Sequence, residues 1–182
     1  MGAAYDKFCS WFHQDKGKRL RVKKSGEPMQ NTADGIKIRD FTMPDTDAVI
    51  SLWRRCGLTR PWNDPRKDIQ RKIEELSKGG TGWFWVVETS RQIVGAVMVG
   101  YDGHRGSVNY LAVDPDSQTQ GIGRLMMQRA EAELTAAGCP KINLLVRTDN
   151  TQVLKFYDQL GYEVDAVTAV SRRLVDNQKT AQ

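Results

Sequence analysis

The stretch from Ser107 to Arg124, SVNYLAVDPDSQTQGIGR, constrains the fold of this 182-residue chain more than any other. Val108-Asn109-Tyr110-Leu111-Ala112-Val113 is a mostly apolar run rich in β-branched and aromatic residues, and it breaks at Asp114-Pro115. After several polar residues, Gly121-Ile122-Gly123 opens a segment in which Ile122, Leu125, Met126, Ala130 and Leu134 share one helical face before Gly138 stops it. The pattern predicts strand, loop and helix. Glycines at such a junction let backbone N–H groups come close to a ligand, and the free N–H groups and dipole of a helix start favour an anion, most often a phosphate. A bare G-x-G is equally consistent with a flexible βα turn, so the elements around it have to decide.

Upstream, Ile36 to Phe41 alternates as a half-buried strand does. A helix follows Pro44-Asp45, with Val49, Ile50, Trp53 and Cys56 on one face, and ends at Gly57. Thr59 to Pro65, TRPWNDP, reads as an irregular loop before a second helix, Arg66 to Ser77, with Ile69, Ile73 and Leu76 inward. Gly82 to Thr89 and Ile93 to Tyr101 are buried strands joined by a short turn, and Asp102 to Gly106 leads into the Val108 strand, which completes an antiparallel meander. Downstream, the crossover through the glycine helix predicts a strand, Lys141 to Val146, parallel to Val108 to Val113. A helix from Asn150 to Leu160 and two last strands, Tyr162 to Thr168 and Ala169 to Leu174, complete the expectation. The fold class is α/β, with a central mixed, mostly antiparallel sheet of about seven strands and about four helices.

Charge divides the chain. Of 27 Lys and Arg against 22 Asp and Glu, residues 1 to 34 hold seven basic and four acidic, which leaves the remainder near neutral at +2. Residues 1 to 34 read as a flexible basic extension, and residues 35 to 182 as one folded domain. A neutral folded part gives no reason to expect a specific nucleic-acid partner. Cys9, Cys56 and Cys139 are odd in number and lack metal-ligand spacing, so reduced thiols in a cytoplasmic protein, and no metal, are expected. No apolar run reaches the roughly 18 residues of a membrane span, and no signal-peptide core opens the chain. The sequence has no G-x-S-x-G, no P-loop and no H-E-x-x-H.

The order of elements, with the glycine turn after the fourth strand, resembles the GNAT superfamily of acetyl-CoA-dependent N-acyltransferases. Two motifs carry the resemblance over Ile36 to Leu174: Gln118-Thr119-Gln120-Gly121-Ile122-Gly123 after Val113-Asp114-Pro115, and Asn150 followed by Phe156-Tyr157 and Gly161-Tyr162. TRPWNDP and YDGHRG are similar to a bacterial subgroup known as YpeA. The resemblance implies that Leu111, Ala112 and Val113 pair with the pantetheine arm where the fourth and fifth strands splay. It also implies that main-chain groups of Gln118, Thr119, Gln120, Gly121, Ile122, Gly123 and Arg124 cradle the pyrophosphate, and that Asn150 touches the arm of the cofactor. Asn150 is in addition placed to cap its helix. Tyr157 is the implied general acid toward the departing CoA sulfur. With tyrosine near ~10 and a thiol near ~8.5, complete proton transfer is uphill by about 1.5 pKa units, so charge stabilisation suits it better than outright protonation.

Where relatives place a basic carboxylate on the fourth strand, this chain has Ser107, Val108 and Asn109. Asp102 and His104 in the preceding loop, and Trp62 and Asn63 in TRPWNDP, are the candidates for handling the acceptor. Cys56 and Cys139 are expected to lie away from the thioester, which favours direct attack over a covalent intermediate. The expected activity is transfer of an acetyl group from acetyl-CoA to a primary amine, either a peptide N-terminus or a small amine, lying between TRPWNDP and the last hairpin. The protein is expected to act as a monomer or homodimer. A catalytically silent acyl-CoA-binding or interaction domain is the alternative.

Overall fold

The computed structural model describes residues 35–90, 92–175 and 177, so the basic extension at 1 to 34 lies outside the described residues. The elements are β1 (Lys37–Asp40), α1 (Thr46–Arg55), α2 (Pro65–Ser77), β2 (Gly82–Glu88), β3 (Ile93–Tyr101), β4 (Gly106–Val113), α3 (Ile122–Ala136), β5 (Ile142–Asn143) and α4 (Thr151–Asp158). Short 3-10 turns at Met43–Asp45 and Pro115–Ser117 precede α1 and the glycine turn. The five strands form one sheet in sequence order, antiparallel except for the parallel pair β4 and β5.

Both faces of the sheet are covered, which explains the nearly unbroken apolar runs of β2 and β3. Phe84, Val86, Ala96 and Met98 face α1 and α2, packing with Val49, Leu52, Trp53 and Ile69. Their alternates, Trp85, Val87, Val97 and Val99, face the other way, toward Ile122, Met126, Met127, Ala130 and Leu134 of α3 and Tyr157 of α4.

The expected seven strands become five among the described residues. Lys141 to Val146 is reduced to Ile142–Asn143, and neither Tyr162 to Thr168 nor Ala169 to Leu174 forms a strand. Val164, Val167, Val170 and Leu174 are exposed. β-propensity expresses itself only on a surface with a neighbour to pair with, and β5, two residues long, provides no ladder for a following strand. Asn177 nevertheless meets the loop before α2, where Asp64 N–H donates to Asn177 O at 2.8 Å.

The start of the domain is fixed by charge. Arg39 donates to both oxygens of Asp45 at 2.7 and 2.9 Å and to Glu88 at 2.6 Å. Thr42 adds its backbone N–H and its hydroxyl to the same Asp45 carboxylate. The Arg39 hydrogen bonds hold buried Asp45 at about 2, below the ordinary 3.8, against the opposing effect of burial. A depressed folded-state pKa contributes stability that is full above pH 3.8 and disappears as the pH falls through about 2. Asp45→Asn should therefore lower the urea midpoint at pH 7, and wild-type and variant midpoints measured down to pH 2 should converge over that window.

Candidate active site

β4 and β5 begin side by side and then part. They pair only through Gly106 with Ile142 and Ser107 with Asn143, after which β4 runs on to Val113 while residues 144 to 147 leave regular structure. The outer edge of β4 beyond Asn109 consequently lacks a strand partner. A bulge marks the place where the strands separate. Ala96 pairs with Ala112 and Met98 with Asn109, so Val97 faces two residues, Tyr110 and Leu111. Tyr110 takes the left-handed conformation, φ 53°, which a non-glycine residue adopts only where the surroundings hold it.

Asp114 N–H donates to Val94 O at 2.8 Å, so Asp114 faces β3, as does Ala112, the residue that alternates with it. The peptide groups of Leu111 and Val113 therefore turn toward the opening. The expected trio is corrected in one member: Ala112 is engaged with β3. Val113 O also accepts from Cys56 Sγ at 3.2 Å and Gln118 Nε2 at 3.3 Å.

At the far end of β4, Asp114 is 3% exposed and bonds to Arg55 at 2.5 and 3.0 Å, which anchors the strand end to α1. Gln118, Thr119 and Gln120 are exposed, Thr119 is left-handed at φ 67°, and Gly121 is the N-cap of α3 at φ 79°. No side chain caps α3 and no acidic residue lies in its first turn, so its first N–H groups point out of the helix without an intrahelical acceptor. The two glycines do different work. A Cβ at Gly121 would meet nothing within 4 Å, whereas one at Gly123 would stand 3.1 Å from the Phe156 ring and 3.7 Å from Val113 Cγ2. Gly121 keeps a left-handed cap and open space; Gly123 lets α3 settle against α4 and β4. Arg124 reaches Gln159 O at 3.4 Å.

Asn150 caps α4, accepting from Val153 N–H at 3.3 Å, and makes no other side-chain bond among the described residues. Tyr157 is buried on the inner side of α4, edge-on to Phe156 and Tyr162. Burial pushes its phenol up to about 12. Donation to a thiol of ~8.5 would then be uphill by about 3.5 pKa units, or roughly 5 kcal/mol, so Tyr157 suits a hydrogen bond better than a proton transfer.

The acceptor candidates separate. Asp102 accepts N–H bonds from His104 and Arg105, both at 2.7 Å, which lower its pKa, and the loop sits at the opposite end of β4 from the glycine turn. His104 precedes Tyr110 by six residues, about 20 Å of extended chain, so neither Asp102 nor His104 is brought to the opening. Trp62 is 47% exposed. Asn63 Nδ2 lies 3.0 Å from Tyr110 Oη and 2.5 Å from Asp68 Oδ2, and its side chain also accepts from Asn177. Asp68, which sequence reasoning missed, accepts the Tyr110 hydroxyl at 2.5 Å and an Arg71 N–H at 2.5 Å.

Cys56 is likewise not remote, since its thiol donates to Val113 O beside the opening. Burial and then Asp114 raise its pKa, so it stays a thiol. A thiol held protonated is a poor nucleophile. Cys139 lies at the start of β4, its sulfur 3.1 Å from where a Gly106 Cβ would stand.

Residues 45–162 match the acetyltransferase (GNAT) family. The chain belongs to that family and is an N-acetyltransferase. An acetyltransferase of Sodalis glossinidius is 46% identical over 145 residues, 79% of this chain and 99% of the relative. One from Pectobacterium atrosepticum is 48% identical over the same coverage. The PaiA N-acetyltransferase of Thermoplasma acidophilum, solved in complex with coenzyme A, shares the fold with a TM-score of 0.63 at 16% identity, over 73% of this chain and 92% of its own. Among the described residues no helix is long and apolar enough to cross a membrane, and no group of His, Cys, Asp and Glu could hold a metal ion.

The contact at Gly123 is tight enough to test on stability alone. Gly123→Leu should cost about 1–3 kcal/mol by overpacking, and should cost less in a Phe156→Ala background than in wild type when both are measured by urea unfolding.

Proposed function

We propose that this acetyltransferase moves an acetyl group from acetyl-CoA to a primary amine by direct attack, without a covalent intermediate on the protein. One observation carries the reading. An unpartnered strand edge at Leu111 and Val113 leads to an uncapped helix start at Gly121, both among the described residues. Such an edge suits amide groups in an extended arm, and such a helix start suits a diphosphate. The open space at Gly121 supports the fit, because a Cβ there would meet nothing within 4 Å and the helix start is free of a side-chain cap. Coenzyme A in the T. acidophilum relative supports the same choice of co-substrate.

The thioester supplies an activated carbonyl carbon. Leu111 and Val113 hold the arm, with Asn150 donating from its side-chain amide, and Tyr157 steadies negative charge developing on sulfur. The likeness of TRPWNDP and YDGHRG to the YpeA-like subgroup supports assigning the chain to it. The acceptor enters on the α1 and α2 face, over Trp62 and Asn63. Only a neutral amine attacks; at pH 7 an α-amine near ~7.7 is neutral in about one molecule in six, a lysine near ~10.4 in roughly one in 2,500. Ser107, Val108 and Asn109 offer no carboxylate to make up that difference, which favours an α-amine or another low-pKa amine.

Calorimetry with acetyl-CoA tests the co-substrate. Gly121→Asp should fold, because aspartate is one of the few residues that tolerate a left-handed position, but should bind no acetyl-CoA. Wild-type affinity in the folded variant would remove the site. Tyr157→Phe should bind acetyl-CoA normally and turn over about 10²-fold more slowly, and unchanged turnover would return Tyr157 to a packing role. Matched peptides offering one free α-amine or one free ε-amine should show higher kcat/KM for the α-amine at pH 7; the reverse order would contradict the acceptor assignment.

A further inference from the structure

A transferase that joins an amine to a carbonyl must dispose of a proton from nitrogen, and β4 offers no carboxylate to take it. The bulge supplies a substitute from across the fold. Alternation along β4 is interrupted there: Val108 packs with the α3 and α4 face, and Tyr110, two residues on, packs with the α1 and α2 face instead. Tyr110 stacks on Trp53 at 4.1 Å between ring centres. Its hydroxyl has a defined direction, donating to Asp68 Oδ2 at 2.5 Å and accepting from Asn63 Nδ2 at 3.0 Å. A phenol oxygen in that arrangement keeps one lone pair for a third partner. Asp68 is held by Arg71 on its other oxygen, with Asn177 Nδ2 at 3.5 Å, and its side chain is 20% exposed, so a proton delivered to it has a way out to water.

We propose, resting on the acetyl-transfer reading, that Tyr110 and Asp68 relay the proton of the attacking amine. As the amine nitrogen bonds to the carbonyl carbon, its N–H proton passes to Tyr110 Oη while the Tyr110 proton passes to Asp68. The carbon–sulfur bond breaks with its electron pair on sulfur, which takes a proton from water, and Asp68 releases its proton to solvent. Tyr110 is then the catalytic residue touching nitrogen, and Asp68 and Asn63 are positioning residues acting through it. Burial, the Asp68 hydrogen bond and the Asp68 charge all raise the Tyr110 pKa, so at neutral pH the phenol is a conduit and never itself a phenolate base. A relay of this kind carries off a proton during attack and does not neutralise an ammonium beforehand, so the preference for low-pKa amines stands.

The test uses the full chain with alaninamide and the matched peptides as acceptors, and compares wild type, Tyr110→Phe, Asp68→Asn, Asp68→Glu and the Tyr110→Phe/Asp68→Asn double variant. Tyr110→Phe retains the ring on Trp53 and should lose about 10²-fold in kcat with unchanged acetyl-CoA affinity by calorimetry. Asp68→Asn should match it, the double variant should be no slower than either single one, and Asp68→Glu should recover part of the rate. By NMR of ring-labelled tyrosine, Tyr110 should ionise at lower pH in Asp68→Asn. Full turnover in Tyr110→Phe, single losses that multiply in the double variant, or a Tyr110 ionisation indifferent to Asp68 would each overturn the relay. If Asp68→Asn does not fold, Tyr110→Phe and Asp68→Glu decide alone. A wild type that binds acetyl-CoA and acetylates none of these amines would instead overturn the acceptor reading, and the relay with it.

Discussion

Backbone polar groups have to be satisfied, and this fold leaves two sets of them without a strand or helix partner next to each other. A strand that loses its neighbour after two paired residues bares a row of peptide groups, and a helix that starts on glycine bares its first N–H groups. Much of the surrounding structure serves to keep them so. Arg55 anchors Asp114 at the end of β4, and Gly123 lets α3 approach α4 and β4 closely. Left-handed Gly121 turns the chain without adding a side chain in front of the amides. Any of these could be replaced by a better-satisfied arrangement, at the cost of the exposed main chain that the proposed acetyl-CoA site uses.

The bulge links that opening to the other face of the sheet. With one extra residue in β4, Leu111 and Val113 pack toward α3 and α4, where Tyr157 is buried, while Tyr110 packs toward α1 and α2. In the proposed reaction this geometry lets sulfur leave on one side and amine enter on the other. The left-handed backbone at Tyr110 costs on the order of 1–3 kcal/mol, and stacking on Trp53 together with hydrogen bonds to Asp68 and Asn63 offset it.

What could be read in the sequence was local. The glycine turn, the cap at Asn150 and the buried strands β2 and β3 depend on neighbours a few residues away, and the local sequence showed them. The bulge left no such trace, since nothing in NYLAV announces an extra residue opposite Val97. Asp68 and Tyr110 are 42 residues apart and Cys56 and Val113 are 57 apart, contacts created only when α1 and α2 fold over the sheet. The valine-rich runs after Tyr162 misled for the opposite reason: their composition suits strands, but strands need an edge to join, and β5 gives none. Asp102 and His104 were attractive for their chemistry, and the length of β4 removes them from the site.

The central claim is that the bared peptide groups of β4 and α3 together form the acetyl-CoA site. Its most direct test is a two-dimensional amide NMR titration of the isotopically labelled chain with acetyl-CoA. The largest and saturating shifts should fall on Leu111, Val113 and Gly121 to Arg124, while the amides of Asp102 to Arg105 at the other end of β4 stay in place. Saturation with those six amides unmoved, or with the shifts centred on Asp102 to Arg105, would contradict it.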